Sequence, residues 1–320
     1  MAGMDSTLHA KLMLWYETNG RHELPWRKTR DPYRIWISEI MLQQTQVKTV
    51  LERFYSPFLA RFPTLGSLAE APTEAVLQQW EGLGYYRRAK HLHAAARQCA
   101  PNFPRSVEGL LALPGVGKST AHAIAAFAYH QPLPILDANV KRILYRFFAR
   151  TEATEKTLWQ LAEALFDAGR PFEYNQAMMD LGSLVCTPKA PHCEACPLQA
   201  GCKADDPLRY PAPKRKKRLP VRHRHIVAVL DGGRVGVSRR EGAFLHGLWG
   251  FVERETRPDA ACKRLGRITQ TYSHFRLEAQ VWLQTEPLDG LEYVDAAALE
   301  RLPMSGADRK VCALIAHMLI

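Results

Sequence analysis

Four cysteines near residue 190 have the side chains and the spacing that could hold a metal centre. They follow the pattern C-x6-C-x2-C-x5-C and comprise Cys186, Cys193, Cys196 and Cys202. The chain between them is short and rich in proline, so a bound group rather than a packed core is expected to hold it in shape. Zinc sites usually contain two C-x2-C pairs, whereas only one occurs here. The spacing therefore favours a 4Fe–4S cluster over structural zinc.

A second candidate site is the sequence Leu-Pro-Gly-Val-Gly at 113–117, which lies between two helical stretches. Gly115 and Gly117 allow a tight turn and expose backbone amides at the start of a helix. Such a turn binds anions, and a DNA phosphate is the anion that a basic protein would place there. The spacing does not match the phosphate-binding loop of nucleotide hydrolases. An ordinary corner between two helices is the alternative.

Composition limits the class of protein. A disulfide framework suits short secreted chains, whereas this chain has 320 residues and an odd total of seven cysteines, and it shows no signal peptide pattern. Its apolar runs are shorter than the roughly 20 residues that a membrane span needs. We expect a soluble, cytoplasmic, monomeric protein without a membrane partner.

The net charge of +11 is concentrated in residues 207–225, which contain no acidic residue. This segment predicts a polyanionic partner. Nucleic acid is favoured over a membrane because no amphipathic basic helix accompanies the charge. The run KRKKR at 214–218 could also be a solvated linker that binds nothing.

The period of the apolar residues changes along the chain. From Leu8 to about Cys202 it is helical, and 31–54 is one example, with a capping aspartate followed by proline. Farther on, HIVAVL, Asp-Gly-Gly and RVGVSRR predict a β-hairpin, and RLEAQVWL at 276–283 alternates as a strand. We expect an all-α domain, a linker and an α+β domain, at 1–206, 207–225 and 226–320.

Several motifs accompany the hairpin and the cysteines. They are LPWR at 24–27, SEIMLQQTQV at 38–47, GLGYY at 82–86, LPGVGKSTA at 113–121, ILDANVKR at 135–142, NQAMMDLGSLVC at 175–186 and YSHFRL at 272–277. In combination they resemble the endonuclease III superfamily of helix-hairpin-helix DNA glycosylases with an iron–sulfur cluster, and within it the MutY family of adenine DNA glycosylases. The resemblance implies base excision repair of double-stranded DNA, in which adenine paired with 8-oxoguanine or guanine is flipped out and its N-glycosidic bond is hydrolysed.

The resemblance assigns the chemistry to two carboxylates. Glu39 would protonate the leaving adenine and later help to activate water, and Asp137 would stabilise the positive charge at the anomeric carbon of the sugar or transiently bond to that carbon. Asn139 would support both. Taken alone, Glu39 could be a solvated helix residue and Asp137 a helix N-cap. The family's usual glycine between the aspartate and the asparagine is Ala138 here, so close backbone approach at this position is in question.

The resemblance also implies which residues contact DNA. Those expected near the opposite base and around the flipped adenine are Gln44, Tyr85, Trp26, Arg27, Leu42 and Asp180. Those expected elsewhere on the DNA are Gly115, Gly117, Lys118 and Lys141. The aromatic residues among them could instead be core residues.

Ser119 distinguishes two kinds of glycosylase. Bifunctional relatives carry a lysine two residues after the second hairpin glycine, and its amine attacks the sugar. Here that position is Ser119, and Lys118 would project about 100° away around the helix. A monofunctional glycosylase is therefore favoured over a glycosylase with lyase activity. A non-enzymatic iron–sulfur DNA-binding protein is a third interpretation, against which the intact Glu39 and Asp137 argue.

The sequence GLWGFVE at 247–253 resembles the Nudix-like domain of the same family. A Nudix hydrolase needs a run of glutamates to bind a divalent metal, and the chain has RETRPDAACKRLG instead. We expect this domain to bind rather than hydrolyse. The resemblance implies that Tyr272, Ser273 and His274 recognise 8-oxoguanine, and a hairpin turn with incidental polar residues is the alternative.

Overall fold

The computed structural model describes residues 6–213 and 218–319, and the chain divides into two compact units. One contains the described residues of Met1–Ala69 and Ala94–Arg215, and the other those of Glu70–His93 and Lys216–Ile320. The segment Glu70–His93 thus groups with the C-terminal residues although it precedes the hairpin in the chain. All but the last residue of the run KRKKR lies outside the described residues.

Helices dominate the chain as far as residue 184, which confirms the all-α expectation for this part. They are α1 Ser6–Asn19, α2 Pro32–Leu42, α3 Val47–Arg53, α4 Tyr55–Arg61, α5 Leu65–Glu70, α6 Thr73–Gln79, α7 Arg87–Cys99, α8 Val107–Leu111, α9 Lys118–Tyr129, α10 Ala138–Phe147, α11 Glu155–Leu165 and α12 Pro171–Leu184. None of the helices in the described ranges combines the length and the apolar composition that crossing a bilayer requires.

The stretch 31–54 forms two helices rather than one. Asp31 caps α2 as expected, because its side chain accepts a hydrogen bond from the backbone N–H of Tyr33 at 2.9 Å. However, α2 ends at Leu42, and Gln44 has a φ of 56°, a left-handed conformation that cannot continue a right-handed helix. The apolar period hid this break because α3 also packs against α2.

Helix α12 fixes the start of α10. The side-chain carbonyl of Asn175 accepts a hydrogen bond from the backbone N–H of Ile135 at 2.9 Å, and its amide donates to the carbonyl of Leu133 at 2.9 Å. The two helices approach closely at Gly182, where a Cβ atom would lie 2.5 Å from the Cβ of Asn139. A glycine is needed here because no side chain fits between the helices.

The C-terminal residues form a sheet followed by two helices, which confirms the α+β expectation. The described strands are β1 Val221–Asp231, β2 Arg234–Arg239, β3 Trp249–Gly250, β4 Val252–Arg254, β5 Lys263–Thr271, β6 Arg276–Gln284 and β7 Glu292–Val294. Strand β1 pairs antiparallel with β2 and parallel with β6, which pairs antiparallel with β5. The helices are α13 Ala296–Arg301 and α14 Gly306–Ile315, and α14 packs against β5.

The expected hairpin is present, with Gly232 and Gly233 at φ angles of 55° and 76° in its turn. The expected linker, however, ends earlier than residue 225. Strand β1 begins at Val221, which pairs with Arg276 of β6. The first side chains of β1 are exposed, so this end of the strand has no apolar alternation from which the sequence could predict it.

Replacing Gly182 with alanine is expected to destabilise the helical unit. The new methyl group would lie 2.5 Å from the Cβ of Asn139, and overpacking of this kind typically costs ~1–3 kcal/mol. Gly66→Ala is the matched control, because its Cβ would meet only the hydroxyl of Thr64 at 3.9 Å and alanine favours a helix. Urea unfolding should show a lower midpoint for Gly182→Ala alone. A midpoint equal to that of the wild type would show that α10 and α12 do not need the glycine.

Candidate functional site

Glu39 lies near the end of α2 and is half-buried. Burial raises the pKa of Glu39 to about 7, the negative charge of Asp137 raises it further, and Arg27 opposes both. A carboxyl group with this pKa holds a proton for a substantial part of the time at neutral pH. The structure thus brings together two carboxyl groups that lie 98 positions apart in the sequence.

Asp137 is the N-cap of α10. One carboxylate oxygen accepts a hydrogen bond from the backbone N–H of Val140 at 2.7 Å, and the other accepts one from the Asn139 side chain at 3.1 Å. Burial raises the pKa of Asp137, and these hydrogen bonds oppose that rise. Arg142 in turn donates to the amide oxygen of Asn139 at 3.0 Å. Ala138 is exposed in the first turn of the helix, so its Cβ is accommodated.

Ser119 faces the chain just before Asp137. Its hydroxyl oxygen accepts a hydrogen bond from the backbone N–H of Leu136 at 3.3 Å. Lys118 points elsewhere, with its ammonium group 4.0 Å from the centre of the Trp159 ring. The position beside Leu136, one residue before Asp137, therefore carries a hydroxyl group, whereas the neighbouring amine interacts with an aromatic face.

The hairpin turn between α8 and α9 is exposed at both of its glycines. Gly115 has a φ of 78°, which explains the glycine there. Gly117 precedes α9 without any side-chain cap, and an added Cβ would meet no atom within 4 Å. Packing therefore does not require this second glycine. Its open side leaves room for close approach to the amides of the first helical turn, and phosphate binding there stays a prediction.

Arg27 and Asp180 form a buried ion pair. The two terminal nitrogens of Arg27 lie 2.6 and 2.8 Å from the carboxylate oxygens of Asp180. Asp180 also accepts three hydrogen bonds from Arg21, at 2.5, 2.7 and 2.9 Å. Burial acts to raise the pKa of Asp180, but Arg27 and Arg21 hold it below its usual value. Arg21 is not predictable from the sequence, because its partner is 159 residues away and no local pattern marks the pair.

The other residues predicted around the base occupy different environments. Trp26 is buried edge-on against Tyr55, with ring centres 5.1 Å apart. Leu42 is half-buried at the end of α2, and Gln44 is exposed just beyond it. Tyr85 belongs to the second unit and is 48% exposed. Gln44 and Tyr85 both have left-handed backbones, at φ 56° and 50°, and such strained residues are frequent at functional sites.

Two further predicted contacts lie at the surface. The ammonium group of Lys141 pairs with Glu155 at 2.7 Å. The turn between β5 and β6 exposes Ser273 and His274, whose hydroxyl and ring nitrogen lie 3.3 Å apart. Tyr272 is half-buried beside them. Each position is compatible with the predicted DNA contact, which stays a prediction.

The four predicted thiols line one cavity of about 290 Å³. All are free thiols, so they form no disulfide framework. The cavity has roughly ten times the ~30 Å³ that a water molecule occupies in the liquid, so it fits a group of several atoms. Among the described residues, including these cysteines, no group of three or more Cys, His, Asp or Glu side chains is arranged to hold a single metal ion. Burial raises the pKa of Cys196 to about 11, so a cationic centre would be needed to keep it as a thiolate.

Arg146 links α10 to the cysteine loop. It is buried, and it donates hydrogen bonds to the sulfur of Cys186 at 3.3 Å, to the carbonyl of Thr187 at 2.7 Å and to the carbonyl of Pro207 at 2.9 Å. Its charge can offset that of the thiolates. Arg146 is not among the residues predicted from the sequence, although an arginine on the apolar face of α10 is a signal for a buried partner.

Sequence comparisons relate the chain to DNA repair proteins. Residues 37–167 match the family model of the HhH-GPD superfamily base excision DNA repair proteins. An adenine DNA glycosylase of Buchnera aphidicola is 41% identical over 200 residues, which cover 60% of this chain and 57% of the relative. The human adenine DNA glycosylase is 41% identical over 217 residues, which cover 62% of this chain and 39% of the human protein. The chain thus spans less than two thirds of the length of these relatives.

Solved structures show the same helical architecture. A thermostable thymine-DNA glycosylase aligns with a TM-score of 0.57 and 30% identity, covering 61% of this chain and 93% of that chain. An endonuclease III trapped as a covalent intermediate with DNA aligns with a TM-score of 0.54 and 21% identity. The alignment covers 62% of this chain and 92% of that chain. This second likeness concerns the fold alone.

The Glu39 carboxyl group is expected to titrate near pH 7, as its pKa of about 7 requires. Asp137→Asn removes the neighbouring charge and should lower the pKa of Glu39, but not to its usual value, because burial is the larger cause. Carbon-detected NMR of glutamate-labelled protein measures both values, with Glu39→Gln identifying the signal. Titration of wild-type Glu39 near 4.5, the ordinary pKa of a glutamate, would show that its carboxyl group is not buried beside Asp137.

Proposed function

Because the chain belongs to the HhH-GPD superfamily of base excision DNA repair proteins, we propose that it is an adenine DNA glycosylase. Its substrate is adenine paired with 8-oxoguanine, or with guanine, in double-stranded DNA. The names of the curated relatives support the choice of adenine. The observation that carries the proposal is the carboxyl group of Glu39, whose pKa is raised to about 7 by burial and by the charge of Asp137.

The two carboxyl groups suit the two halves of the reaction. Glu39, protonated, donates its proton to adenine, so the base leaves as a neutral molecule when the N-glycosidic bond breaks. Asp137, ionised, stabilises the positive charge that develops on the sugar. Such a division of roles requires one carboxyl group to be protonated while the other is ionised. The hydrogen bonds from Asn139 and the backbone of Val140 favour the ionised form of Asp137.

Water completes the reaction after adenine has left. Glu39 is now ionised and can accept a proton from a water molecule as that molecule attacks the anomeric carbon. The proton returns Glu39 to its starting state. The products are free adenine and an abasic site, and the DNA strand stays intact.

Adenine reaches Glu39 only when it leaves the base stack. Gln44 and Tyr85 are proposed to fill the gap near the opposite base. Both are exposed, and both hold left-handed backbones that present a side chain from a tight turn. The turn at Tyr272, Ser273 and His274 is proposed to distinguish 8-oxoguanine from guanine, because its hydroxyl and imidazole groups can bond to the altered base edge.

A monofunctional reaction fits Ser119 better than a lyase reaction does. A lyase needs an amine that attacks the sugar. The hydroxyl of Ser119 occupies the position beside Leu136, and the amine of Lys118 packs on Trp159. Neither group offers a nucleophilic amine next to Asp137.

A 4Fe–4S cluster is proposed for the thiol-lined cavity. The ligands are Cys186, Cys193, Cys196 and Cys202, which surround a space large enough for several atoms. When bound, the cluster supplies structural cross-links and local charge rather than bond cleavage. Arg146 donates to Cys186 and holds the loop at one end of α10.

Glu39→Gln is expected to abolish most base excision on an 8-oxoguanine:adenine duplex while duplex binding survives. The amide keeps the size of the side chain but cannot supply the proton, and general acid catalysis contributes ~10²–10⁴-fold.

In the wild type, single-turnover excision should fall as the pH rises above about 7, the pKa of Glu39, because the protonated fraction of Glu39 is lost.

Glu52→Gln, at an exposed position on α3, is the control and should be fully active. A Glu39→Gln rate within a few-fold of the wild type would exclude Glu39 as the acid. Strand breaks that appear only after added base support the monofunctional reaction. Immediate strand breaks would support the lyase alternative, and a wild type that binds without any product would support the non-enzymatic one.

Anaerobically purified protein is expected to contain about four irons per chain and to lose them in Cys196→Ser, because cubane ligation uses four thiolates. Cys99→Ser is the control, since Cys99 ends α7 and does not line the cavity. Iron analysis measures both. Stoichiometric zinc in place of iron would overturn the assignment.

A further inference from the structure

Two surface loops of the second unit are held near one short segment that runs from the end of α13 into the first turn of α14. The first loop, Gly82–Tyr85, carries the exposed Tyr85. The second is the β5–β6 turn, which carries Tyr272. The shared segment, residues 302–309, contains the N-terminal turn of α14. All three parts belong to the same compact unit.

The residue just before the first loop is held by an ion pair. Both carboxylate oxygens of Glu81 pair with the guanidinium group of Arg309, one at 2.9 Å and the other at a shorter distance. Glu81 also accepts a hydrogen bond from the backbone N–H of Met304 at 3.4 Å. Arg309 is itself fixed, because it donates to the backbone carbonyls of Leu299 and Leu302 at 3.1 and 2.7 Å. Its position therefore depends on the C-terminal helices and not on Glu81 alone.

The residue just after the loop is held by the same segment. The hydroxyl of Tyr86 donates to the carbonyl of Met304 at 2.9 Å, and Met304 is fully buried. Both ends of Gly82–Tyr85 are thus tied to a rigid stretch of backbone. Holding the ends matters here because Gly82, Gly84 and Tyr85 all have positive φ angles of 90°, 77° and 50°, and a left-handed tyrosine persists only where its surroundings enforce it.

The second loop, the β5–β6 turn, lies against the same segment at Ser305. The hydroxyl of Tyr272 lies close enough to the side chain of Ser305 for Ser305 to lower the pKa of Tyr272, against the larger rise caused by burial. Ser305 caps α14 and donates to Asp308 at 2.5 Å, and Asp308 pairs with Arg240 at 2.9 and 3.1 Å. Ser305 and Asp308 are fully buried. These contacts fix the first turn of α14. Arg309 directly follows Asp308 in this turn.

We propose that residues 302–309 are a common support for the two loops, and that Glu81 and Tyr86 are positioning residues for Tyr85. The C-terminal region then does more than recognise the opposite base, because it also fixes the backbone from which Tyr85 projects. The importance of Tyr85 for excision rests on the proposed function. The support itself does not.

Backbone hydrogen exchange tests the support directly. Glu81→Ala should speed exchange of the amides in residues 80–90 about tenfold, since charge-assisted hydrogen bonds at one end are lost. Glu81→Gln should have a smaller effect, because the amide oxygen still accepts one bond. Tyr86→Phe and Tyr272→Phe, which each remove one hydroxyl, should also speed exchange there.

Glu74→Ala is the matched control. Glu74 lies on α6 and pairs with Arg239 in the same unit, but it does not flank the loop. Its loss should leave exchange at 80–90 unchanged. Equal effects of Glu74→Ala and Glu81→Ala, or no effect of Glu81→Ala, would overturn the positioning role. No effect of Tyr272→Phe would overturn the common support.

A double-mutant comparison tests what the positioning does. On an 8-oxoguanine:adenine duplex, Glu81→Ala should slow excision about tenfold when Tyr85 is present and should add nothing in a Tyr85→Ala background. A full additional loss in that background would show that Glu81 acts by another route and would overturn the role. A wild type without excision would refute the proposed function, and hydrogen exchange would still decide whether Glu81 and Tyr86 hold the loop.

Discussion

A proton on Glu39 at neutral pH depends on burial beside a second carboxylate. The enclosing protein raises the pKa of Glu39 to about 7, with Asp137 adding to the effect. In water the same side chain would be ionised and could not act as an acid. Three helices position these two carboxyl groups. Helix α2 carries Glu39, α10 is capped by Asp137, and α9 packs against α2.

The supports of the two carboxyl groups are mostly long-range polar contacts. Asn175 on α12 fixes the backbone before Asp137, and Gly182 lets α12 approach α10 without a side chain between them. The ion pair of Arg27 with the fully buried Asp180 places a positive charge where it moderates the pKa of Glu39. A buried pair of this kind loses much of its favourable energy to desolvation, so its main effect is to specify geometry.

The cysteine loop and the C-terminal unit illustrate two ways to hold irregular backbone. In the cysteine loop and just after it, the guanidinium group of Arg146 donates hydrogen bonds to the backbone carbonyls of Thr187 and Pro207. In the second unit, Arg309 gathers backbone carbonyls and the carboxylate of Glu81 in the same way. Arginine suits both places because its fixed fork of donors can satisfy several acceptors at once.

The sequence by itself determined the features that depend on local spacing. The helical and alternating periods, the cap at Asp31, the glycine turn at 232–233 and the clustering of four cysteines are properties of short segments, and each appears in the structure. Only the tertiary structure decided what depends on distant partners. The approach of Glu39 to Asp137, the half-buried Arg21 and the buried Arg146 depend on contacts between distant segments. The break at Gln44 is visible only in the folded backbone. Periodicity records which face of a helix is apolar, but it does not record which neighbour will cover that face.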